Sequence, residues 1–143
     1  MTEVEIWNIL YMGLISNSMY FVGMVLLTWL GFRFAARIYD DQSANMMGKV
    51  TATVFYLLVG MFFYNTMSIS GDMISGSASM MSALPGGASE GGQRLIANAA
   101  SGLTPGGPIS MLFNAVIVFF QLGMTWGKNC LLYTSPSPRD GRE

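Results

Sequence analysis

The sequence contains no histidine and a single cysteine, Cys130. Zinc sites, haem ligation and Cys/His nucleophiles are built from those two residue types, so the chain has almost nothing to build them from. Charge is scarce too. Asp, Glu, Lys and Arg make up 10% of the 143 residues, against about a quarter in soluble domains. Seven basic residues against eight acidic ones leave a net charge of −1. That balance cannot neutralise a row of phosphates, which argues against a nucleic-acid partner. The three longest apolar stretches hold no Asp, Glu, Lys or Arg short of the lysine that closes the third. Proton-coupled transport and intramembrane aspartyl chemistry usually need such a group, so they lose ground as well.

Hydrophobic residues supply 52% of the chain, thirteen of its residues are methionine, and the mean hydropathy is +0.45. The three uncharged stretches are Ile9–Phe32, Val50–Ser70 and Pro108–Lys128, the last uncharged up to its closing lysine. Each meets the ~20 apolar residues that a bilayer-spanning helix needs. The expectation is an all-α integral membrane protein with three transmembrane helices and a partly helical Gly/Ser/Ala-rich outer loop. The first stretch does not read as a signal peptide, because it is too long and is preceded by Glu3 and Glu5 rather than by positive charge. Residues 1–129 form one membrane domain on this reading. The linker 33–49 is cytoplasmic, with the first helix running on past the bilayer and a turn near Ser43–Asn45. The loop 71–107 lies outside. Within it, Asp72–Leu84 and Gln93–Ser101 are helix-like, separated by Pro85-Gly86-Gly87.

Orientation follows from Arg33, Arg37, Lys49 and Lys128, which cluster at one end of the spans, with only Arg94 in the long loop. Basic residues are retained on the cytoplasmic side. The N-terminus is therefore expected outside, and the compact chain suggests a bacterial inner membrane.

The third stretch carries a stripe. Ser110, Asn114, Gln121 and Thr125 recur at i, i+4, i+11 and i+15, on one side of a helix. Counted inward, Asn17, Asn65 and Asn114, one per span, share the outer half of the bilayer. Thr28, Thr53, Gln121 and Thr125 form a second layer near the inner side. Both layers are expected to face into a three-helix bundle. Such amides could line a path for an ion, water or polar substrate. They could equally be interhelical glue, at about 0.6 kcal/mol per contact; with no ionisable group beside them, glue is the reading favoured.

Other features are weaker. Met73, Met80 and Met81 fall on one helix face and are soft enough for Cu(I), but Met also fills apolar faces without binding anything. No cofactor is expected. Gly86–Arg94 is glycine-rich but lacks the lysine and hydroxyl of a P-loop. The loop could dip back into the bilayer where protein shields it. Ser75, Ser77, Ser79 and Ser82 have no base to activate them, so the chain is not expected to be an enzyme.

The final stretch, CLLYTSPSPRDGRE from Cys130 to Glu143, changes composition abruptly. It resembles a translated sequencing-adaptor read-through, with codons for Cys130–Asp140 that reproduce a transposon mosaic end and adaptor arm. The alternative is a Pro/Ser-rich cytoplasmic tail. On the adaptor reading the natural sequence continues differently beyond Asn129, and further spans could follow. The functional expectation is a small non-catalytic subunit or accessory protein of a larger membrane assembly. Its partners would be the lipid bilayer and other membrane subunits or a second copy. The alternatives are an oligomeric channel or truncated transporter, and a holin-like permeabiliser.

Overall fold

A computed structural model describes residues 1–41 and 45–127. The described residues are helical or in turns, with no strand. Four helices follow one another: α1 (Glu3–Asp40), α2 (Met46–Ser82), α3 (Glu90–Ala100) and α4 (Pro108–Trp126). Three of them, α1, α2 and α4, are long and apolar enough to cross a membrane.

Each boundary has a local cause. Thr2 and Glu5 form a capping box that starts α1 six residues before Ile9. The helix ends where the Asp41 amide donates to the Arg37 carbonyl; Arg37 in the last turn suits the helix dipole. Asn45 starts α2 by accepting from the Gly48 amide at 2.7 Å. Ser89 caps α3, and Pro108 occupies the first turn of α4, where its missing N–H costs nothing.

One difference from the sequence reading concerns the second span. It was expected to stop at Ser70, with a separate helix over Asp72–Leu84. The structure merges them, and α2 runs unbroken through Gly71 and Asp72 to Ser82. A glycine costs a helix only about 1 kcal/mol, and no proline intervenes before Pro85. Gly71 is also required by packing. A Cβ there would lie 2.0 Å from the Pro105 carbonyl oxygen.

At ~1.5 Å per residue, α1 and α2 are about 55 Å long and α4 about 29 Å. The bundle therefore has two zones. Beside α4, α1 and α2 build a three-helix zone. Beyond the start of α4, the first turns of α1 and the last turns of α2 meet α3. α2 contacts all three other helices. The core is thin: Ile6, Leu10, Ala35, Tyr56, Phe63 and Met81 are buried, while Met19, Tyr20, Trp29, Leu112 and Phe119 are among many large apolar side chains left exposed.

Candidate functional site

The polar side chains of the three-helix zone are mostly consumed within the chain. On α4, Ser110 Oγ accepts from the Gly106 amide at 3.2 Å. Asn114 Nδ2 donates to the Gly60 carbonyl of α2 at 3.0 Å. Gln121, 2% exposed, reaches across to α1, where Nε2 donates to the Thr28 carbonyl at 3.1 Å. Thr125 Oγ1 lies 3.2 Å from the Tyr56 hydroxyl and 2.9 Å from the Gln121 carbonyl. The next residue, Trp126, donates its Nε1–H to Thr53 Oγ1 at 3.1 Å. Glycines make room for this: a Cβ on Gly31 would meet Gln121 Nε2 at 2.5 Å, and one on Gly60 would meet Val118 at 2.7 Å. Asn114, Gln121 and Thr125 thus bond across to α1 or α2, whereas Ser110 bonds to the loop that leads into its own helix.

The three asparagines do not form one layer. Asn17 Nδ2 donates to the Thr66 carbonyl at 2.8 Å and to Ser70 Oγ at 2.7 Å. Asn114 bonds at Gly60, which lies six to ten residues along α2 from Asn17's partners, a drop of about 9–15 Å. Asn65 faces out. Its side chain is exposed, and it makes no hydrogen bond among the described residues. The α2 residue that turns inward at this level is its neighbour Thr66.

Asn65 lines an open groove of about 360 Å³ between α1 and α2. Gly13, Ser16, Asn17 and Tyr20 contribute from α1, and Phe62, Thr66, Ile69 and Met73 from α2. Ser16, Tyr20 and Asn65 are exposed there. The sequence places Asn65 inside the bundle, whereas the structure turns it outward. No periodic signal separates Asn65 from Thr66, because the two polar residues are adjacent in a largely apolar span.

A second polar cluster closes the α3 end. Glu3 accepts from the Ser89 hydroxyl at 2.5 Å, the Ser89 amide at 2.9 Å and the Trp7 indole at 3.2 Å. Ser89 Oγ accepts in turn from the Gly92 amide. The carboxylate thus sits at the N-terminus of α3, where negative charge is favoured. Ser89, through its hydroxyl and then its amide, holds the Glu3 carboxyl below the ordinary carboxylate value, and Trp7 adds to this.

The methionines do not converge. Met73 packs against Gly13 of α1, whereas the buried Met81 packs against Gly92 of α3. They are eight residues apart on α2, about 12 Å along its axis; Met80 is half-buried one residue before Met81. Arg33, Arg37 and Lys49 gather at the opposite end. Arg33 lies over the Trp29 ring at 5.6 Å, and Lys49 over the Trp126 ring at 5.7 Å. Arg37 is exposed one turn beyond Arg33. Lys128 and the stretch 130–143 lie outside the described residues, as does most of the turn read near 43–45.

No match to the chain was found among protein-family models, curated proteins or solved structures.

Proposed function

We propose that the chain is a small non-catalytic integral membrane protein that docks other membrane helices, as a subunit or accessory protein of a larger assembly. Helices α1, α2 and α4 span the bilayer, the end bearing Arg33, Arg37 and Lys49 is cytoplasmic, and the N-terminus lies outside. A bacterial inner membrane suits this arrangement. The ring of exposed apolar side chains on all three long helices supports insertion.

The observation that carries the docking role is Asn65. An amide flanked by the exposed Phe62 and Ile69 has no partner of its own. Polar groups left unpaired in hydrocarbon cost several kcal/mol, and a helix laid in the α1–α2 groove would supply donors and acceptors to Asn65, Ser16 and Tyr20. Asn114, Gln121 and Thr125 on α4 cannot serve this purpose, since they already bond to α1 and α2. The interior is filled by Tyr56, Phe63 and Gln121, so conduction in the channel alternative would have to run between copies.

The test is purification of tagged protein from its native membrane in mild detergent. Asn65→Leu should leave the yield of the chain intact and reduce its co-purifying membrane partners by at least roughly threefold, the equivalent of one interhelical hydrogen bond. Unchanged partner recovery would contradict the proposal.

A further inference from the structure

We propose that the linker end of the α1–α2 pair binds an anionic phospholipid, its phosphate on Arg33 and Arg37 and an acyl chain in the groove beside them. This rests on the membrane part of the reading above and is independent of the Asn65 groove.

Arg33 and Arg37 are separated by one turn, so both guanidiniums project from the same face of α1. Both are exposed, and neither forms an ion pair among the described residues. Arg37 stands where two cavities meet. One, about 380 Å³, runs along α1 past Leu30, Arg33 and Asp40. The other, about 600 Å³, opens between α1 and α2 and is walled by Phe34, Ile38, Met47, Ala52 and Phe55. A cationic edge beside a groove of rings and aliphatic side chains sets the two chemistries of a phospholipid side by side, with Phe34 and Phe55 at the bilayer end of the groove. Free phosphate would use only the first. Asp40 shares the smaller cavity, so the anion-binding part is the Arg33–Arg37 edge. Lys49 is turned to Trp126 and lies outside both cavities. Guanidinium forks suit phosphate oxygens, and basic residues at this level attract anionic headgroups.

The chain would be reconstituted into vesicles of equal parts phosphatidylglycerol and phosphatidylcholine, floated to verify insertion, then extracted gently, and its retained lipids counted by native mass spectrometry. The expected result is a preference for phosphatidylglycerol of roughly fivefold per guanidinium. Arg33→Gln with Arg37→Gln should bring the ratio to about that of the bulk, whereas Arg94→Gln on α3 should leave it unchanged. Thr51→Trp, which fills the groove from an exposed position, should lower retention without altering charge. Inorganic phosphate should not displace the lipid. Equal retention of the two lipids, an unaltered ratio in the double variant, or displacement by phosphate would each overturn the proposal while leaving insertion intact. Failure of the chain to float would overturn the membrane reading itself.

Discussion

Two amides of similar chemistry have opposite surroundings. Gln121 is buried and bonded to the α1 backbone, whereas Asn65 is exposed and unpaired. Gln121→Leu should destabilise the isolated chain by about 0.6 to 1.7 kcal/mol, the range for one interhelical bond, while Asn65→Leu should leave it as stable or more so. Unfolding titrations in mixed micelles would measure both, and equal losses would contradict the assignment of faces. Glu3 makes a different prediction. Its folded-state pKa lies below the unfolded value, so its contribution is present above the unfolded pKa and is lost as pH falls through the folded one. With Trp29 and Trp126 replaced by Phe, Trp7 fluorescence should report release of Glu3 in acid. In Glu3→Gln that acid transition should vanish. The spacing of 110, 114, 121 and 125 was legible because four polar residues on one face stand out from an apolar helix. Asn65 was not, because lipid and core are equally apolar and hydrophobic periodicity fades in a helix that meets both.

At the scale of the element, α2 carries the architecture, and its continuity depends on what stands against Gly71. Gly71→Ala sets a Cβ into the Pro105 backbone, whereas Gly76→Ala in the same helix meets nothing within 4 Å. The first should destabilise by about 1 to 3 kcal/mol through overpacking. The second should stabilise by up to about 1 kcal/mol through helix propensity. Thermal unfolding of the two variants in detergent checks both, and the same sign for both would contradict the close packing of residues 104–107 on α2. The start of α4 was readable from Pro108 and the apolar run behind it, and so was the run of α1 past its apolar stretch. The starts of α1 at Glu3 and of α3 at Glu90, set by the Thr2 and Ser89 caps, lie six and three residues ahead of the expected Ile9 and Gln93. The merger of the second span with the following helix was not. Gly71 reads as a breaker in sequence, and only the loop that returns from α3 shows why a residue without a Cβ is needed there.

On the scale of the whole molecule, the chain places its polar groups in three settings. One set bonds α4 to α1 and α2. A second, Glu3 with Ser89 and Trp7, fastens α3 to the start of α1. The third, Ser16, Tyr20 and Asn65, is turned outward in the α1–α2 groove. Three apolar runs and their polar stripes could be found from composition and spacing. Which polar face stays open depends on how the helices rotate against one another, and that is decided by packing at Gly31 and Gly60 rather than by any local signal. On the function proposed above, the open face receives a membrane helix. Site-specific photocrosslinking in intact native membranes can test this, with a benzophenone residue at Ile69 in the groove or at the exposed Phe119 of α4, which does not line it. Position 69 should give protein adducts and position 119 lipid adducts alone. Protein adducts of equal yield from both, or none from position 69, would contradict it.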